Sequence, residues 1–204
     1  MVEGYEADGG EHGGRYEELA ADFKKLMEKL KVDEDGRITM DGARYIFLPQ
    51  DLLVNRIFVS FLRVIGPTLN TIVWPVIGFA GYVVARQLMS EGTPPEKIIE
   101  AYAKFNNPRG WGLTEAVSFD MDKPEAIVRM RNSMFARGVR ESVENVKESY
   151  PFYTCPWGHV FQGAIRAALE ESGRQPPPLT YTETKCEALG DDCCEWHIKR
   201  KEEE

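Results

Sequence analysis

All four cysteines of this chain fall in its last quarter, at positions 155, 186, 193 and 194, and they restrict how that quarter can fold. Three of them combine with one carboxylate into a candidate metal shell: Cys155, Glu183, Cys186 and Cys194. Three thiolates and a carboxylate complete a tetrahedral set for Zn2+. Glu183 and Cys186 close one predicted strand, Leu179–Cys186. Cys194 lies at the start of the return strand, Cys193–Lys199, after a Leu189-Gly-Asp-Asp192 turn. Cys155 stands ahead of a helical stripe of Val160, Phe161, Ala164, Ile165, Ala168 and Leu169. An ion held by the four would staple that helix to the hairpin. Strand alternation chooses between the adjacent cysteines. Cys194 shares a face with Trp196 and Ile198, Cys193 with Glu195, His197 and Lys199. The apolar face points inward, so Cys194 is the ligand and Cys193 the spare. The competing account is that buried cysteines act as small hydrophobes, because the spacing is not a short CxxC knuckle. His159 and His197 are further possible ligands, each equally at home on a helix or strand surface.

A chain of 204 residues can bury a sizeable core, so a metal would not be its only source of stability. Its net charge is −8 and its longest basic run is Lys199-Arg-Lys201, which excludes nucleic acid as an expected partner. The opening Met1-Val-Glu-Gly-Tyr-Glu has neither the basic start nor the apolar run of a secretory signal. Four cysteines in a chain of this size do not suggest a disulfide scaffold, and the expected location is cytoplasmic. Val64 to Ala85 carries no charge between Arg63 and Arg86 and is long enough for a bilayer. Pro67, Pro75, Asn70 and Thr71 weaken a spanning helix. The segment reads as a buried helix lining a core or pocket, and no membrane span is expected.

Residues 1–14 are rich in Gly and Glu and read as a disordered tail. Residues 15–34 read as an N-terminal helix, on Leu19, Phe23, Leu26, Met27 and Leu30, and 35–200 as one domain. Within it, Ile38–Leu48 forms a strand or hairpin and Pro49 opens an apolar helix. A second apolar helix covers about 68–89. Thr93-Pro-Pro-Glu96 is a capping box for a third. Strands are predicted over 113–121 and 127–131, and a helix over 136–149. Helices mixed with antiparallel hairpins indicate an α+β fold, an antiparallel sheet with packed helices.

The segment Tyr181-Thr-Glu-Thr-Lys-Cys-Glu-Ala-Leu-Gly-Asp-Asp-Cys-Cys-Glu-Trp-His-Ile198 resembles the closing hairpin of the 4-vinyl reductase domain family. That pattern has Glu, Cys three residues on, a Gly-Asp turn, and Cys before a final strand. Gly66-Pro-Thr and Trp74-Pro-Val-Ile-Gly78-Phe-Ala-Gly81 resemble the family's glycine-bearing apolar helix, and Arg131-Asn-Ser133 the segment before its long helix. Cys155 sits where the family has its first cysteine. The resemblance implies a fold similar to small subunits of the TRAPP trafficking complex and to haem-containing nitric oxide sensors. It implies a closed pocket for small, mostly apolar ligands, and a structural zinc on Cys155, Glu183, Cys186 and Cys194. Two features depart from the family. Met130 stands where phenol-sensing members have a tryptophan that touches the ligand hydroxyl, which counts against a phenol. The glycines after Cys155, Gly158 and Gly163, are spaced differently.

With no ATPase domain and no helix-turn-helix, the expectation is a stand-alone sensor or carrier domain for a small hydrophobic ligand. Its candidate ligand-binding residues are Trp74, Phe79, Trp111, Trp157 and Phe161; large aromatics also build ordinary cores. The long apolar helices offer more apolar face than one small sheet covers, so a homodimer is expected. The alternatives are an enzyme or accessory acting on a vinyl tetrapyrrole, and a non-enzymatic assembly module. The chain shows no Rossmann glycine fingerprint, flavin motif or acid–base pair that a reductase would need.

Overall fold

The computed structural model describes residues 13–202. Of the expected tail at 1–14, residues 1–12 lie outside the described residues, while Gly13 and Gly14 begin the first helix. The chain splits into two compact units between Phe47 and Leu48. The first holds helix α1 (Gly13–Glu28) and a small antiparallel sheet of β1 (Lys31–Val32), β2 (Ile38–Met40) and β3 (Ala43–Tyr45). Its turns are local chemistry. The Asp33 carboxylate accepts from the backbone of Asp35 at 3.0 Å and Arg37 at 2.9 Å. Asp41 and Gly42 both take positive φ, as a two-residue hairpin turn requires.

The second unit begins with a π-wound segment, Asp51–Phe58, which runs into α2 (Val59–Ile65). The chain bends at Gly66, and a shorter π-wound segment, Leu69–Val73, runs into α3 (Trp74–Ser90). Then come α4 (Ile98–Asn106), β4 (Leu113–Asp120), β5 (Glu125–Arg131), α5 (Met134–Ser142), α6 (Val146–Ser149), α7 (Trp157–Glu171), β6 (Leu179–Lys185) and β7 (Cys194–Arg200). The sheet runs β4-β5-β7-β6, antiparallel throughout. Both edge strands carry an irregularity, at Ala116/Ser118 in β4 and Glu183/Lys185 in β6. The architecture is α+β, as the sequence pattern indicates.

The core forms where α7 lies over the sheet. Val160, Phe161, Ala164, Ile165, Ala168 and Leu169 are buried, together with Val128 and Met130 of β5 and Cys194, Trp196 and Ile198 of β7. The inward alternation of β7 is the one expected. α3 packs along α7 at very short range because both are glycine-bearing at the crossing. A Cβ on Gly78 would sit 2.9 Å from the His159 carbonyl oxygen. One on Gly81 would overlap the Val160 carbonyl, and one on Gly163 the Gly78 carbonyl. The unusual position of Gly163 is thereby explained. Gly158 leaves room for the ring of Tyr181.

Three sequence expectations are corrected. The helix predicted over 136–149 is two helices, because Asn145 takes a left-handed conformation (φ 52°) and breaks the run. The Thr93–Glu96 segment makes no side-chain cap; the Thr93 N–H instead closes the preceding helix onto the Leu88 carbonyl at 3.0 Å. The helix that was expected to be buried is buried on one face only. Trp74, Gly78, Gly81, Ala85 and Met89 are inward, while Ile72, Val76, Phe79 and Val83 face solvent. Leu69–Ser90 is, by length and composition, long and apolar enough to cross a membrane.

Candidate metal centre and aromatic core

The terminal hairpin and the start of α7 bring their donors together. Cys155, Glu183 and Cys194 offer ligand atoms that all lie within 4.8 Å of one another. Cys186 stands outside that compact trio but beside it, its thiol facing both Cys194 and the Glu183 carboxylate. Cys193 lies apart, beside Asp192, Lys185 and Arg129. None of the four cysteines is in a disulfide. The two histidines singled out in the sequence stand elsewhere: His159 packs edge-on to Tyr181, and His197 lies 3.4 Å from Glu195 on the outer side of β7.

The donor atoms are held as a metal would need them. Glu183 Oε2 accepts from the Cys155 N–H at 2.9 Å, which fixes the carboxylate. Its other oxygen, Oε1, is buried without a hydrogen-bond partner among the described residues. An orphaned carboxylate oxygen beside three sulfurs is costly unless it meets a cation. Burial raises Glu183 from 4.5 to about 7. It also raises the Cys155 thiol. The shared hydrogen bonding among the thiols, with burial, raises Cys186 and Cys194. A dication would relieve all four groups at once, since thiolate and carboxylate are their ligand forms. The residues therefore fit zinc.

A shell of groups missed in the sequence surrounds this centre. The Glu187 N–H donates to Cys194 Sγ at 3.4 Å. The Glu187 carboxylate, itself buried, accepts from the backbone of Asn132 at 2.8 Å and Ser133 at 2.7 Å, the two residues that lead into α5. Ser133 Oγ accepts from the Ala136 N–H and lies 3.9 Å from Cys155 Sγ. Tyr153 is buried against the cluster, with no partner for its hydroxyl among the described residues. Adjacency of Glu187 to Cys186 was its only sequence signal. A cleft of about 500 Å3, lined by Asn70, Tyr153, Tyr181, Glu183, Cys186 and Asp191 among others, reaches the centre from outside.

Of the five candidate ligand-binding aromatics, the structure brings four into one chain of ring contacts. Trp74 stacks on Phe58 at 5.2 Å, Phe58 meets Phe135 at 5.0 Å, and Phe135 stacks on Trp111 at 5.9 Å. Trp111 meets Trp157 edge-on at 5.7 Å, and Trp157 stacks on Phe161 at 5.9 Å. Phe161 continues to Trp196 and Tyr102. Phe79 does not join: it is 65% exposed and stacks on Tyr82 outside the core. The indole Nε1 atoms of Trp74, Trp157 and Trp196 are buried without a partner among the described residues. The aromatic core and the metal centre are neighbours. Met130 pairs in register with Cys194, and the Met134 N–H donates to the Trp111 carbonyl at 3.0 Å.

No family model matches the chain, and no curated protein matches it in sequence. Solved structures do. The phenol-responsive sensory domain of the transcription activator PoxR, solved with phenol, superposes with a TM-score of 0.63 over 89% of this chain and 90% of that one, at 16% identity. This chain has the fold of that sensory domain. At such identity the likeness is one of fold. Two further structures are similar more loosely. One is a trafficking protein particle complex subunit 3 from Naegleria fowleri bound to palmitic acid (TM-score 0.44, 17% identity, 75% and 95% covered). The other is a vinyl-4-reductase family protein from Methanocaldococcus jannaschii (TM-score 0.41, 16% identity, 97% and 100% covered).

Glu183 gives the metal-free protein a testable pH signature. A carboxyl raised by folding favours the folded state fully below its unfolded value, and that contribution is lost as pH climbs through the folded one. From 4.5 to about 7 the metal-free protein should therefore lose on the order of 3 kcal/mol. Urea melts of chelator-treated protein across that range should show the decline, and Glu183→Gln should flatten it. Metal-free stability that rises over the same window would refute the assignment.

Proposed function

We propose that this chain is a zinc-stabilised binding domain for a small hydrophobic molecule, a hydrocarbon or an aromatic, and that it works as a cytoplasmic sensor or carrier and as a homodimer. One observation carries it: a continuous aromatic core, containing three buried indole N–H groups without partners among the described residues, lies against a Cys/Glu cluster suited to zinc. The shared fold with a phenol-responsive sensory domain supports the same reading. Cys155, Glu183, Cys186 and Cys194 would hold the ion. Four protein ligands leave no open position, so zinc would act as a cross-link between the start of α7 and the terminal hairpin. The indoles of Trp74 and Trp157 call for a ligand with an apolar body and a hydrogen-bond acceptor.

Organic extraction of freshly purified protein followed by mass spectrometry should release such a molecule. Added aromatic carbonyls should quench tryptophan fluorescence saturably. Trp74→Phe and Trp157→Phe should each weaken that binding about tenfold, the worth of one hydrogen bond in a buried site, and leave zinc content unchanged. An empty extract together with no saturable quenching by any apolar compound would sink the proposal.

A further inference from the structure

We propose that the outer face of α3 is a self-complementary interface, which pairs antiparallel with α3 of a second copy about a two-fold axis near Ile77–Gly78. This rests on the homodimer reading and names its surface. Ile72, Val76, Phe79 and Val83 recur at helical spacing on the solvent-exposed side of the segment. They are 62%, 69%, 65% and 47% exposed. A single-chain soluble protein rarely leaves such a stripe uncovered.

Three features select a second copy as the occupant. The first is register. A two-fold interface requires that residue i meets j while j meets i. An antiparallel pairing centred between 77 and 78 sets Ile72 against Val83 of the second copy and Val76 against Phe79 of the second copy. All four exposed side chains are used, and each contact occurs twice. Exposed Ala80 leaves space beside the axis, and Phe79 itself lines a groove of about 960 Å3 with Pro75, Gly78, Tyr82, Gln162 and Leu179, open to a side chain of the second copy. The second is charge. No Asp, Glu, Lys or Arg occurs from Val64 to Ala85, so the paired stripes themselves carry no charge, and Arg166 at the groove is already paired with Glu170 at 2.9 Å. The third is area. The four side chains, with exposed Ile57, Phe61 and Val64 across the Gly66 bend, offer apolar surface on the order of the 800 Å2 that each partner contributes to a stable interface. A bilayer fits less well. The opposite face of α3 is locked on α7 by contacts between backbones, and a chain of net charge −8 is repelled by anionic lipid.

Sedimentation velocity on the full chain tests this. The wild type should be a dimer at micromolar concentration. Val76→Glu and Phe79→Glu should each weaken it about 100-fold or more, while Val117→Glu, at an exposed position on β4, should not. The double variant Val76→Glu/Phe79→Lys places opposite charges across both symmetry-related contacts and should recover about tenfold over Val76→Glu alone. Circular dichroism confirms folding of each. A wild type that stays monomeric at about 100 μM removes the dimer itself. A dimer indifferent to both glutamates leaves the dimer standing and overturns this surface. Monomers that float with phosphatidylserine-containing vesicles, and lose that on Val76→Glu, would assign the stripe to a membrane instead.

Discussion

Serine at Cys194 or Cys186 should abolish the proposed zinc binding and lower the melting temperature, whereas serine at Cys193 should do neither. The two sets of cysteines are equally buried, so burial does not discriminate between them. Position does. Cys194 belongs to the trio within 4.8 Å, and Cys186 faces it. Cys193 points to the other side of β7, toward Asp192 and Arg129. A closed site contributes its binding energy to folding, but this chain also has a large core of its own. A loss of about 3 to 5 kcal/mol is expected, which for a chain of this size is on the order of 10 °C. Elemental analysis of each purified variant gives the metal content directly. Equal zinc loss for all three would overturn the alternation argument. Full zinc retention in Cys186→Ser alone would reduce the shell to the compact trio.

The second large effect is expected far from any metal ligand. Gly81→Ala should destabilise the protein by about 2 to 4 kcal/mol, although alanine is the better helix former by about 1 kcal/mol. The added methyl would overlap the Val160 carbonyl, which is backbone and cannot move aside by changing rotamer. α3 and α7 would have to separate along their whole contact. Gly163→Ala should behave alike, since its Cβ meets the Gly78 carbonyl. Both helices begin with a core tryptophan, Trp74 and Trp157, so the same change should also weaken ligand binding. Chemical denaturation measures the first effect and fluorescence quenching the second. An alanine variant more stable than wild type would show that the crossing is looser than described.

The parts legible in the sequence were those governed by short periods. Alternation along β7 placed Cys194, Trp196 and Ile198 inward, and the 3.6-residue stripe of α7 was readable from Val160 to Leu169. Trp157 and Phe161 stand four apart, the spacing that brings side chains together on a helix, and their rings stack. What stayed hidden depends on contacts distant in sequence. Glu187 looks like one more acidic turn residue until the fold carries Asn132 and Ser133 to its carboxylate. Phe79 resembles its core-bound neighbours in composition, and only the crossing with α7 decides that Gly78 and Gly81 go inward and Phe79 outward. The π-wound turns before α2 and α3 have no local signature at all; Phe58 closes one of them and Trp74 follows the other, and the two rings stack.

The irregular edges of the sheet bear on how copies can associate. An open β-edge is a template for unlimited strand addition, and interrupted pairing, charge and nearby prolines are the usual guards. β4 is kinked at Ala116/Ser118 and flanked by Glu115 and Asp120, while β6 is kinked at Glu183/Lys185 and follows Pro176-Pro-Pro178. Fibril-like growth through the sheet is thereby discouraged at both ends. The symmetric contact proposed for α3, by contrast, would close on itself and stop at two.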